Sequence, residues 1–287
     1  RWLLCAFFLS WAPFRVTLRN GQITIVTLAL VLGAFAARTR KKDLLAGLLL
    51  GLSLWKYPLT FPFPLYFMWK REWKLVFTSL AVPLVLTEVY AWRLGVTVAD
   101  VVREYGSRIG ELSLGNSSFL EGSTDLKPLI AAITGLTEPV PAVITGAICV
   151  IAIAAMAVVF RRTRSCELLH FSVLALFSLW AVYHRSYDAV ICLIPAAALI
   201  TWLGRREAAW AALAGLALLA SLVVGVHGLI TSRLSFLADH WPGVLAVHAE
   251  RLIVFGLFWL FVWILWRRRA SPHDSRSSTI SGCPADA

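Results

Sequence analysis

Long apolar runs constrain this chain more than any other feature. Residues 208–230, for example, contain no Asp, Glu, Lys or Arg and show no alternation of polar with apolar side chains. A run of that length matches the hydrocarbon core of a bilayer, where an exposed backbone N–H or C=O finds no partner, so it must satisfy its own hydrogen bonds as a helix. A closed barrel is excluded, because its strands would alternate lipid-facing and interior side chains. With 59% hydrophobic and 15% charged residues, the chain also has too little polar surface to coat a soluble body.

Ten apolar segments follow one another, at 2–14, 23–37, 44–55, 59–69, 75–92, 141–160, 168–183, 189–203, 208–230 and 252–266. Several fall short of the ~20 residues of a simple crossing. The expected fold is therefore all-α, a polytopic transmembrane helical bundle of about ten membrane segments, some short or re-entrant. Between alternate segments lie Arg38-Thr39-Arg40-Lys41-Lys42, Lys70-Arg71-Glu72-Trp73-Lys74, Arg161-Arg162-Thr163-Arg164, Arg205-Arg206 and Arg267-Arg268-Arg269. The positive-inside rule assigns these clusters to the cytoplasm. On that topology the whole formal charge of +11 is cytoplasmic, so orientation explains the basic balance and nucleic acid is not an expected partner. Residues 1–269 read as one transmembrane helical domain with an extracytoplasmic loop at 93–139, and 270–287, rich in Ser with Pro and Gly, as a disordered cytoplasmic tail. The chain opens at Arg1 without an initiator Met or a signal-peptide pattern, so its natural N-terminus is expected upstream.

Residues 44–69 could form one kinked helix, but a single pass would put the clusters at 38–42 and 70–74 on opposite sides. Two short arms keep both in the cytoplasm and turn Trp55-Lys56-Tyr57-Pro58 outward. Each arm would be roughly 17 Å long against a hydrocarbon core of about 30 Å, which recesses Lys56 below the outer surface. Pro58, Pro62 and Pro64 fit an interrupted second arm. In the outer loop, Val98, Val101, Val102, Tyr105, Ile109 and Leu112 recur at near-helical spacing among charged residues, which predicts an amphipathic helix on the membrane surface.

Polar residues collect at the outer ends of the segments: Arg15, Arg19, Asn20 and Gln22; Lys56 and Tyr57; His184, Arg185, Tyr187 and Asp188; and Arg233, Asp239, His240, His248, Glu250 and Arg251. Ionisable groups at membrane depth cost several kcal/mol unless they face a cavity or a partner, so the collection points to a polar extracytoplasmic pocket. Arg233, Glu250 and Arg251 have no special spacing and read as snorkelling side chains. Lys56 sits where snorkelling is hard, and an anionic partner such as a phosphate best explains it. The turn His184-Arg185-Ser186-Tyr187-Asp188 offers an acid or base pair, or a sugar-hydroxyl acceptor, beside a guanidinium suited to phosphate.

No Walker loop, Rossmann glycine fingerprint or His-Glu-x-x-His motif occurs, so ATP-driven pumping and zinc proteolysis are not expected. His227, His240 and His248 are too widely spaced for a metal signal, and no metal or cofactor is expected. Cys5, Cys149, Cys166, Cys192 and Cys283 lack paired spacing and read as small apolar fillers.

Three stretches carry a resemblance. Asn20-Gly21-Gln22 opens an apolar helix, Ala46-Gly47-Leu48-Leu49-Leu50-Gly51-Leu52 leads into Lys56 and Pro58, and Lys70-Arg71-Glu72-Trp73 forms a basic-aromatic turn. Together they resemble the polyprenol-phosphate-dependent glycosyltransferases of family 87, which are GT-C enzymes with mycobacterial mannosyltransferases as familiar members. The later turn at His184 to Asp188, before an apolar helix with Pro195, is similar to that family's histidine-and-aspartate turn. The resemblance implies transfer of a mannose-like or arabinose-like sugar from a polyprenyl-phosphate donor to a glycolipid or glycan acceptor on the outer face of the cell membrane. It assigns Lys56, Arg185, Tyr187, Arg19, Asn20 and Gln22 to substrate binding and makes His184 and Asp188 catalytic candidates. It also implies a catalytic acidic residue in a first outer loop, expected upstream of Arg1. A transporter or flippase for an anionic lipid-linked substrate is the alternative, since interrupted helices also mark transporters, although no inverted repeat is visible.

Overall fold

A computed structural model describes residues 23–114, 125–137, 139–163, 166–182, 184, 186–204, 209–223 and 248–267. The described residues are helical with no strand, and they divide between two compact units, residues 23–123 and residues from 124 onward. Among the described residues three helices are long and apolar enough to cross a membrane unaided, Trp73–Leu94, Val140–Arg162 and Ala249–Arg267. The chain is an all-α membrane helical protein.

The first unit contains α1 (Thr24–Thr39), α2 (Asp43–Ser53), α3 (Tyr57–Thr60), α4 (Pro62–Trp69), α5 (Trp73–Leu94) and α6 (Val98–Leu114). Helix α2 packs between α1 and α5. Its buried face is a stripe of small residues, Ala46, Gly47, Gly51 and Ser53, with Leu50. A Cβ on Gly47 would stand 2.7 Å from the Leu75 carbonyl oxygen, and one on Gly51 would stand 2.7 Å from that of Ser79. Only glycine permits so close an approach. In lipid, where the hydrophobic effect between helices vanishes, such backbone proximity supplies the dispersion contacts that hold helices together. The other faces of α5 remain apolar and exposed, as at Leu84, Val85 and Trp92, which suits contact with acyl chains.

The expected interruption within 44–69 is present, but the bend comes later. Helical geometry breaks at Lys56 (φ −110°, ψ 59°), whereas Asp43–Thr60 and Pro62–Trp69 diverge by 112° across Phe61. The prolines account for both features. Pro58 removes the N–H that Leu54 would bond, and Pro62 and Pro64 do the same for Pro58 and Thr60. Thr60 Oγ1 donates to the carbonyls of Ser53 (3.1 Å) and Lys56 (3.2 Å), which are not the ones the prolines deprive, and so ties the two sides of the Lys56 break together.

The loops at Lys41 and Arg71 are built alike. Each residue adopts a left-handed φ, 57° and 61°, and the next residue's N–H returns to a carbonyl five positions back, Lys42 to Ala37 and Glu72 to Phe67. Glycine would be more comfortable there, by about 1–2 kcal/mol per residue. Arg38 bonds Glu72 through Nε at 2.6 Å, so both basic loops lie at one end of the unit. That arrangement agrees with their expected placement on one side of the membrane. Gly95, also left-handed at φ 67°, ends α5, and a reciprocal cap between Thr97 and Asp100 starts α6.

The second unit contains α7 (Lys127–Thr134), α8 (Val140–Arg162), α9 (Glu167–Ala181), α10 (Leu193–Gly204), α11 (Ala209–Val223) and α12 (Ala249–Arg267). Helix α9 is its centre. Every side chain from Leu169 to Trp180 is buried, as expected of a helix apolar on all faces, against α10 and α12 with α8 alongside. Ser172 and Ser178 satisfy their hydroxyls on backbone carbonyls within the helix, and His170 pairs with Thr163 at 3.0 Å. One expectation fails here: Cys166 is disulfide-bonded, while Cys149 and Cys192 are free.

Candidate functional site

In the second unit the chain leaves α9 through Val182, which is extended at φ −128° and ψ 154°, and re-forms as a 3₁₀ turn at Ser186–Cys192 before α10. Pro195 lies in the first turn of α10, where a missing N–H costs nothing. This path brings His184 Nδ1 to 3.0 Å from Asp188 Oδ2, and both residues are buried, at 2% and 4% exposure. A carboxylate accepting the Nδ1 proton holds the ring orientation and its tautomer, so that Nε2 presents a lone pair able to take a proton or accept a hydroxyl hydrogen bond. The protonated ring would instead donate toward an anion. The same pair thus serves proton transfer, hydroxyl recognition or phosphate contact.

A second buried polar cluster lies in the same unit. Arg251, in the first turn of α12, donates through Nη1 to His248 Nδ1, and the Asp125 and Glu250 carboxylates bear on its guanidinium. Because arginine can only donate, His248 Nδ1 is the acceptor in this contact. Asp125 is buried, and the next residue, Leu126, bonds the carbonyl of Trp180 at 3.1 Å, which ties this segment to the last turn of α9. Trp180 packs edge-on against Phe255 and Phe258 of α12, and its indole N–H has no partner among the described residues. Arg251 therefore does not snorkel. At 5% exposure its head is held inside the protein by His248 and acidic neighbours. The i, i+3 spacing of His248 and Arg251 was a visible hint, whereas nothing in the sequence linked either to Asp125.

In the first unit Lys56 is half-buried, and its ammonium donates to Thr24 Oγ1 at 2.5 Å. Thr24 is the first residue of α1, so the lysine charge stands at the N-terminal end of that helix. Tyr57 beside it meets Tyr105 of α6 edge-on, with ring centres 6.2 Å apart. Desolvation, reinforced by Tyr57, pushes the Tyr105 phenol up to about 12. Of the other expected binding residues, Arg19, Asn20, Gln22 and Arg185 lie outside the described residues, as does the side chain of Tyr187. No group of three or more His, Cys, Asp or Glu among the described residues could hold a metal ion.

Compared with known families, residues 1–183 match the model of glycosyltransferase family 87, well over half of the chain. The matched region includes Thr24, Lys56 and Asp125 and stops one residue before His184. No curated protein and no solved structure matches.

Proposed function

Because this chain belongs to glycosyltransferase family 87, and is thus a membrane glycosyltransferase, we propose that it moves a mannose-like or arabinose-like sugar from a polyprenyl-phosphate donor to a glycolipid or glycan acceptor at the extracytoplasmic face of the cell membrane. The observation that carries the reading is the buried His184–Asp188 pair, 3.0 Å apart at the end of the central helix of a membrane bundle. Such a pair is costly to bury unless it is used or fully compensated. In the transfer, an acceptor oxygen bonds the anomeric carbon, the bond from that carbon to the phosphate oxygen breaks, and the polyprenyl phosphate leaves with the electron pair. The acceptor proton must go to a base. His184, oriented by Asp188, hydrogen-bonds a sugar or acceptor hydroxyl through Nε2 and can receive or relay that proton.

Lys56 is proposed separately as a contact to the donor phosphate. Its ammonium and the N-terminal N–H groups of α1 suit an anion, and preorganised positive charge stabilises a departing phosphate more than the bound diester. The reading requires no metal.

The test is turnover of a synthetic polyprenyl-phosphate sugar by purified protein, with released polyprenyl phosphate and glycosylated acceptor both measured. His184→Ala and Asp188→Asn are expected to insert and fold while losing most transfer. General acid–base participation contributes ~10²–10⁴-fold, which sets the scale of the loss. Normal turnover in both variants removes the pair from the chemistry. Movement of intact donor across a vesicle membrane without cleavage would instead establish transport.

A further inference from the structure

We infer that the second unit binds an anionic phospholipid in a groove between α8 and α12, with one acyl chain along the groove and the headgroup phosphate between Arg162 and Arg267. The inference is independent of the transfer reading and concerns the opposite, basic end of these helices.

Helices α8 and α12 both terminate in arginine, at Arg162 and Arg267. Between them runs a groove of about 460 Å³. That volume falls within the ~300–1,000 Å³ of small-molecule sites. Its origin is a mismatch in size. Ala154, Ala155 and Val158 line it from α8, while Trp259, Trp263 and Trp266 line it from α12, and the indoles do not fill the space that the alanines leave. Both helices are long and apolar enough to span a membrane, and for a groove between two such helices an acyl chain is the material available to fill it.

The basic end of the groove supplies the headgroup chemistry. The Arg162 guanidinium lies 4.0 Å from the centre of the Trp266 ring, and that of Arg267 lies 4.5 Å from Trp263. Each arginine is therefore held by an indole that itself lines the groove, at the level where tryptophans mark the membrane interface. A guanidinium held over an indole gives up none of its five N–H donors to a conventional acceptor and keeps them for phosphate oxygens. Two C-terminal helix ends also meet there and add partial negative charge, which the arginines offset before any ligand arrives. Basic pockets between membrane helices are where anionic headgroups bind. Snorkelling alone would explain exposed arginines, but not their stacking on the indoles that wall an unfilled groove.

The test uses the full chain in nanodiscs of phosphatidylcholine containing a minor fraction of phosphatidylglycerol, with lipids retained after gentle detergent extraction counted by native mass spectrometry. Wild-type protein is expected to retain phosphatidylglycerol severalfold above its bulk fraction. Arg162→Gln with Arg267→Gln should return retention to the bulk ratio. Ala154→Leu, which fills the groove and keeps both charges, should also lose it while preserving thermal stability. That second variant keeps the idea testable if the double variant folds poorly. Enrichment that survives in Ala154→Leu would show that the groove holds no chain, and enrichment equal to bulk in wild type would overturn the site. Inorganic phosphate alone should not raise the melting temperature in detergent. A rise with inorganic phosphate that Arg162→Gln with Arg267→Gln abolishes would make this an anion site and overturn the lipid site.

Discussion

Replacing Gly51 by alanine should destabilise the first unit, although alanine is the better helix former. A Cβ there would lie 2.7 Å from the Ser79 carbonyl oxygen and 2.7 Å from Val82 Cβ, against the 3.4 Å at which ordinary contact begins. The atoms in the way are backbone and Cβ, so no rotamer change relieves the clash and α2 must move from α5 by about 0.7 Å. A gap of that order forfeits roughly a quarter to a half of each dispersion contact along the seam. Overpacking of this kind costs up to about 3 kcal/mol, offset by about 1 kcal/mol of helix propensity, for a net loss of about 1–2 kcal/mol. Gly146 of α8 is the control, because nothing lies within 4 Å of its Cβ position. Gly146→Ala should gain up to about 1 kcal/mol. Both are read from denaturant unfolding in mixed micelles followed by tryptophan fluorescence. A Gly51→Ala protein as stable as Gly146→Ala would refute the close approach of α2 and α5.

Lys56→Met should raise the donor concentration needed for half-maximal transfer, while Lys56→Arg remains partly active; unchanged donor dependence in Lys56→Met would return the residue to a snorkelling role. Arg251→Met removes a buried guanidinium from His248 Nδ1 and from the field of the Asp125 and Glu250 carboxylates and should cost about 1.5–3 kcal/mol in the same unfolding assay, the scale of a hydrogen bond to a charged group; a loss no larger than that of an exposed arginine contradicts the buried cluster. Cysteine introduced at Ser117 should react with an impermeant thiol reagent from outside sealed cells and Cys283 should not, and the reverse pattern inverts the topology. The cap between Thr97 and Asp100 holds that carboxyl below its usual value, so its stabilising effect is present above the ordinary carboxylate range and disappears as pH falls through the lowered value. Thr97→Ala should move the Asp100 titration upward, as followed by carboxyl-carbon NMR, and an unmoved titration would discount the cap.

Local chemistry wrote much of this protein into its sequence. Apolar runs located the helices, because in lipid each segment must close its own hydrogen bonds whatever its neighbours do. The dense polar turn His184-Arg185-Ser186-Tyr187-Asp188 between two apolar segments was enough to suggest an acid or base pair, since its residues lie close along the chain. Gly47 and Gly51 entered the sequence reading only within the stretch that carries the family resemblance, and only the fold identified the Leu75 and Ser79 carbonyl oxygens as what they approach. Three features needed tertiary structure. The 112° bend falls at Phe61 rather than at the Lys56 turn, because Pro62 and Pro64 follow it directly while Thr60 Oγ1 ties the Lys56 break together through the Ser53 and Lys56 carbonyls. Arg251, which reads locally as an interfacial cation, is buried beside His248 and within the field of Asp125, a residue distant in sequence whose neighbour Leu126 is hydrogen-bonded to the Trp180 carbonyl. The groove beneath Arg162 and Arg267 exists only because α8 presents alanines where α12 presents tryptophans, and the relative rotation of two helices is set by the packing of whole surfaces, which no single run of residues specifies.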